Sequence, residues 1–132
     1  MLEENKIVDQ AQQVMEILSR QKNMVTTSQI RKFLTAVNTV TEKANAYKLE
    51  KTDDYDTLPV ELQAQIKYLK VKLAYQIGRN RSKWGNPVED FEKEARLMSL
   101  IDGIKSSTKE YEKFAHYIEA LVAFHKFYGG KD

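Results

Sequence analysis

Residues 25–33 read VTTSQIRKF, and they open a helix. Thr26 followed by Gln29 has the spacing of a capping box, in which each side chain satisfies the other residue's backbone N–H. Val25 ahead of the cap and Ile30 within the first turn supply the matching hydrophobic staple. The cap alone is worth about 1 kcal/mol. Ile30, Phe33, Leu34, Val37, Val40 and Ala44 then recur at helical spacing, which predicts one buried stripe. Thr26 to Gln29 are thereby explained as structure. Arg31 and Lys32 are not, because cations in the first turns oppose the helix dipole by roughly a few tenths of a kcal/mol.

The same punctuation recurs outward along the chain. Before the quoted stretch, Ile7, Ala11, Val14 and Leu18 define the inner face of a helix from about Glu3 to Ser19. After it, LEKTDDYDT reads as an acidic loop. Pro59 then opens a third helix to about Asn80, with Leu62, Ile66, Leu69, Leu73 and Ile77 inward. Asn86-Pro87-Val88-Glu89 places an N-cap, a first-turn proline and an acid in the preferred order. The fourth helix follows, burying Val88, Phe91, Ala95, Met98 and Ile101. Ser107 with Glu110 forms another capping box, and Gly129-Gly130 ends the helix it starts.

That fifth helix carries two adjacent apolar stripes. One is Tyr111, Phe114, Ala115, Ile118 and Val122; the other is Tyr117, Leu121, Phe124 and Tyr128. Both are assigned to the core, with a partner surface as the alternative use of one stripe. No strand pattern, repeat or low-complexity tract interrupts these periods. The expectation is an all-α protein: a compact bundle of about five helices, in a single helical domain over residues 1–132.

Composition narrows the function. The 132 residues suffice for one core, and 42% hydrophobic with 30% charged residues is ordinary for a globular protein. The absence of cysteine excludes disulfides, thiolate metal sites and cysteine nucleophiles, and it fits a cytoplasmic location. No segment reaches the roughly 20 apolar residues of a membrane span, and MLEENKIVDQ does not read as a signal peptide.

Chemistry is sparse. His116 and His125 lie nine residues apart on one helix and point to opposite sides. His116 with Glu119 alone is a weak metal signal. Asp53, Asp54 and Asp56 would hold a cation only loosely. No catalytic residue, metal site or cofactor is expected.

Charge is more informative, because it is segregated. Residues 19–48 carry +5 and residues 67–86 carry +6, so the remainder carries −9 in a chain of net +2. Tyr68, Lys72, Tyr75 and Arg79 form a stripe on the third helix, roughly 120° from its apolar face. Rings alternating with cations suit a phosphate backbone bearing stackable bases. Arg81 and Lys83 in the following loop continue the charge, whereas Trp84 is read as pinning that loop to the body. Arg31 and Lys32 would strengthen the anion attraction of a helix N-terminus with unpaired N–H groups. The candidate RNA-binding residues are therefore Arg31, Lys32, Lys72, Tyr75, Arg79, Arg81 and Lys83. A helix-turn-helix DNA reader fits poorly, because about six residues separate the first two helices where that motif uses three or four.

Three stretches, TTSQIRKFL (26–34), LKVKLAYQIGR (69–79) and FAHYIEALVAFHKFYGG (114–130), together resemble one family. It is the small subunit of the type III-A CRISPR interference assembly, the Csm complex. The resemblance implies an all-helical, non-catalytic protein present in several copies. Such proteins pack against the backbone subunits that hold the guide RNA, lie along the guide–target duplex, and help hold target RNA and monitor its pairing. Arg31 and Lys32 fall in the first motif, and Lys72 and Arg79 in the second. Arg81 and Lys83 lie beyond it and rest on charge alone. Self-association is a further expectation. The rival classes are a helical adaptor that binds only protein and a small enzyme using His116 or His125.

Overall fold

The computed structural model describes residues 2–50 and 56–132. A 3₁₀ turn, Glu4–Lys6, leads into α1, Ile7–Ser19. Then follow α2, Thr27–Glu50, and α3, Val60–Arg79. The chain continues with α4, Pro87–Ala95, α5, Leu97–Ile104, and α6, Thr108–Phe127. No strand occurs among the described residues. An isolated bridge between Thr57 and Ser107 ties the approach to α3 to the approach to α6.

The all-α expectation holds, and the helix count is six rather than five. The expected fourth helix is divided at Arg96, which adopts a left-handed conformation with φ 57° and ψ 41°. Its N–H closes α4 onto the carbonyls of Glu92 and Lys93, and its own carbonyl accepts from Leu100 in α5. The break lets Ala95 and Leu97 both be buried, which one continuous helix would have to place some 200° apart.

The capping signals act as their spacing requires. Thr26 Oγ1 accepts from the Gln29 N–H at 3.2 Å, and the Gln29 amide oxygen accepts from the Thr26 N–H at 2.9 Å. Val25 and Ile30 are both buried beside this box. Asn86 caps α4 by accepting from the Glu89 N–H at 3.2 Å. Ser107 caps α6 through the Glu110 N–H at 3.1 Å. The reciprocal half of that box is replaced: the Ser107 N–H donates to Ile104, and the Glu110 carboxylate pairs with Lys113.

Packing pairs α1 with α6 and α2 with α3, while α4 and α5 close the ends of these pairs. Helix α6 is central. Tyr111, Phe114, Tyr117, Ile118 and Leu121 are all buried, so the core assignment holds for most of both stripes. Val122 is the exception, at 40% exposure. The two buried tyrosines keep partners: Tyr111 donates to the Val37 carbonyl at 3.1 Å and Tyr117 to the Ala95 carbonyl at 3.1 Å. Burial pushes both hydroxyls up to about 12, so neither is an acid or base near neutral pH.

The end of α6 folds back on the start of α2. Gly129 takes φ 85°, and the Gly129 and Gly130 N–H groups return to Lys126 and His125 in a Schellman closure. His125 is buried, and its Nε2 lies 2.7 Å from the Val25 carbonyl, to which it donates. Its ring lies against Gly130, where any Cβ would overlap it.

Two stability outcomes follow from this geometry. Lys105 occupies the first central position of a type II′ turn closed by the Ser107 N–H on Ile104, with φ 52° and ψ −117°. Glycine takes that conformation freely, so Lys105→Gly should stabilise the protein by about 1 kcal/mol, or about 3–5 °C in Tm. An unchanged or lowered Tm would contradict the turn. Gly130→Ala should instead cost about 1–3 kcal/mol by overpacking the His125 ring. The exposed helical Gly78, with open space around it, should gain stability on the same change. Equal Tm shifts for the two glycine variants would count against the close approach.

Candidate nucleic-acid interface

Helices α2 and α3 run antiparallel. The Gln29 amide donates to Asn80 at 3.3 Å, which joins the start of α2 to the end of α3. Lys43 donates to Gln65 at 3.3 Å further along both helices. Their buried faces meet through Ile30, Phe33, Val37 and Val40 against Leu62, Ile66, Leu69 and Leu73. This register leaves Arg31, Lys32, Tyr68, Lys72, Tyr75 and Arg79 exposed.

Between the two helices lies a groove of about 550 Å³, with Arg31, Lys32, Tyr68 and Lys72 among its lining. Lys32 reaches across from α2 to Tyr75 on α3, its Nζ 5.9 Å from the ring centroid. Lys72 Nζ sits 5.8 Å from the Tyr68 centroid. Neither tyrosine is a boundary core residue, since they are 56% and 59% exposed. The cations are thus held over rings that still offer open surface.

Arg79 and Arg81 lie in a second, adjoining cleft of about 690 Å³ at the end of α3. Trp84 also lines it, and the expectation that this side chain pins the loop is corrected. Trp84 is 78% exposed and lies 5.1 Å below the Lys83 ammonium. The loop is held by asparagines instead. Asn86 Nδ2 donates to the Ile77 carbonyl at 2.8 Å, and Asn80 Nδ2 donates to the Gln76 carbonyl at 2.7 Å. Ser82 and Gly85, with Gly85 at φ 113°, make the tight turn between them.

The start of α2 is not an open anion site. Its first donors are satisfied within the chain: Thr26 and Gln29 by the capping box, Thr27 by the Lys131 carbonyl at 3.1 Å, and Ser28 by a main-chain oxygen of Asp132 at 2.7 Å. The chain's own tail occupies the position proposed for an external anion. Arg31 and Lys32 face the α2–α3 groove rather than the helix end.

Within the two basic segments, Arg20, Lys48 and Lys70 are drawn into ion pairs with Glu16, Glu112 and Asp102. Arg31, Lys32, Lys72, Arg79, Arg81 and Lys83 make none among the described residues. Their charge therefore faces outward uncompensated, and clustered cations of this kind attract a polyanion. Sequence spacing placed Tyr68 in the stripe without ranking it as a contact. Lys22 and Lys131 also line the second cleft, and Lys131 was not identifiable because the docked tail brings it from the far end of the chain.

The two histidines sit in different surroundings. His125 is part of the tail closure. His116 is exposed in a groove between α2 and α6 beside Glu112 and Glu119. Among the described residues no group of three potential ligands could hold a metal ion. Asp53 and Asp54 lie outside the described residues. No described helix is long and apolar enough to cross a membrane.

Comparison with known proteins places the chain in a family. The profile of the family described as Csm2 Type III-A matches residues 2–131. The CRISPR system Cms protein Csm2 of Streptococcus thermophilus is 31% identical, over 99% of this chain and 98% of its own length. The protein of the same name from Enterococcus italicus is 33% identical, over 93% of this chain and 84% of its own length. That of Mycobacterium tuberculosis is 30% identical, over 91% of this chain and 90% of its own length. The chain belongs to the Csm2 family of type III-A CRISPR systems, the small-subunit family of the Csm complex.

Proposed function

We propose that the chain acts as one helical domain, in the cytoplasm, as a non-catalytic subunit that holds RNA within a type III-A effector complex. The α2–α3 face and the adjoining loop contact the guide–target RNA, and other surfaces meet the backbone subunits and further copies of the chain. The observation that carries this is the set of six cations without ion pairs among the described residues, spread along one side of α2, α3 and the following loop with Tyr68, Tyr75 and Trp84 exposed among them. Arg31, Lys32, Lys72, Arg79, Arg81 and Lys83 contact phosphates, and the rings offer stacking surfaces to bases. No cofactor is required for holding RNA in this way.

The free protein should bind short single-stranded RNA weakly, with Kd on the order of 10⁻⁴–10⁻⁶ M at physiological salt, by analogy with non-specific DNA binding. Each phosphate contact contributes about 0.7 to the log–log salt slope for a single strand. Replacing Arg31, Lys32, Lys72 and Arg79 by alanine should therefore flatten the slope by roughly 3. Glu119→Gln, on α6, should leave it unchanged or steepen it. The same preparations should leave labelled RNA intact in the presence of magnesium or manganese. A folded quadruple variant that keeps the parent's affinity and slope would contradict RNA binding by these residues and favour an adaptor that binds only protein.

A further inference from the structure

The groove between α2 and α3 differs from a simple strip of charge. Its lining is predominantly apolar, with Tyr68 and the half-buried Ala36 at its surface and the nearly fully buried Val40 and Leu69 beneath. Val40 and Leu69 belong to the core, so this part of the groove is backed by the packed interior. Tyr68 lines it as an aromatic side chain more than half exposed. Arg31, Lys32 and Lys72 also line it and make no ion pair among the described residues. Its volume of about 550 Å³ falls within the range of about 300–1,000 Å³ typical of small-ligand sites.

A phosphate backbone needs the cations but not the apolar surface. A protein partner would be served by the apolar surface, but three uncompensated cations around it favour an anionic occupant. An unpaired nucleotide needs both features: a ring face against apolar and aromatic surface, and a phosphate within reach of lysine or arginine. Bases within a duplex are stacked and paired, and cannot enter a side groove without being extruded.

We propose that this groove is a subsite for one unpaired nucleotide of single-stranded RNA, with the base beside Tyr68 and its flanking phosphates on Arg31, Lys32 and Lys72. The subsite rests on the RNA-holding function above and adds to it a preference for unpaired over paired RNA. Apolar surface contacts ring faces rather than base edges, so the preference among bases is small.

The test compares three probes of equal phosphate number across a salt series. They are a short oligouridylate, the same oligomer with abasic ribose at every position, and an RNA duplex. The oligouridylate should bind about fivefold to tenfold more tightly than the abasic strand with the same salt slope, at the lower end of what stacking one base on an aromatic side chain provides. It should also bind more tightly than the duplex. Tyr68→Ala should erase the difference between base-bearing and abasic strands, and Tyr68→Phe should retain it. Circular dichroism should show both variants folded, as expected for a side chain that is 56% exposed. Equal binding of abasic and base-bearing strands, or a duplex bound as tightly as the single strand, overturns the subsite while leaving the phosphate contacts standing. Absence of RNA binding at any salt overturns both.

Discussion

The closure of α2's first turn by the chain's own tail is the constraint on which the remaining geometry depends. A buried or part-buried N–H left without a partner costs about 1–3 kcal/mol, and here the first donors of a 24-residue helix are all satisfied within the chain. Two are satisfied by the capping box and two by residues more than a hundred positions away. His125 adds a bond to Val25 at the same junction, and Gln29 adds one to Asn80 on α3. The start of α2, the end of α3 and the end of α6 are thereby joined at one end of the bundle. Once that end is joined, the antiparallel register of α2 and α3 brings Lys32 over Tyr75 and Arg31 beside the groove shared with Tyr68 and Lys72.

The cations fall into two groups by their partners. Lys48, Lys70, Lys113 and Lys126 each meet a carboxylate at 2.8–3.0 Å. Surface pairs of this kind contribute about 0–1 kcal/mol each, so they do little for stability. Their effect is to remove charge from those faces. Arg31, Lys32, Lys72, Arg79, Arg81 and Lys83 make no ion pair among the described residues, and a chain of net +2 still presents a basic surface there. The position of Arg31 and Lys32 near a helix N-terminus is then intelligible. The dipole penalty is small, and it applies at the end of the helix that lies beside Tyr75 and Arg79.

Local features were legible in the sequence. The Thr26–Gln29 box, the Asn86-Pro87 start and most of the apolar stripes depend on neighbours within a helical turn or two and appear where spacing put them, while Met98 is only half-buried and Leu97 beside it is buried instead. The break at Arg96 was not legible. Neither glycine nor proline marks it, and the left-handed residue is tolerated because burial of Ala95 and Leu97 outweighs its strain. The tail closure was illegible for a different reason: Ser28 and Asp132 are 104 positions apart, and no periodicity links them. Trp84 was misjudged because large rings usually anchor loops, while here Asn80 and Asn86 already hold this one to α3. The cationic stripe could be read because four residues on one helix share a face. The groove it borders could not, because it requires α2 and α3 in register.

Photocrosslinking tests directly whether RNA lies along the α2–α3 face. Short RNA carrying 4-thiouridine at each position in turn, crosslinked by light to the protein and mapped by mass spectrometry, locates the contact without altering a protein residue. Crosslinks should fall on Tyr68, Tyr75, Trp84 and the peptide containing Arg31 and Lys32. Crosslinks confined to α1, or to the α6 surface bearing His116 and Glu119, would contradict the account.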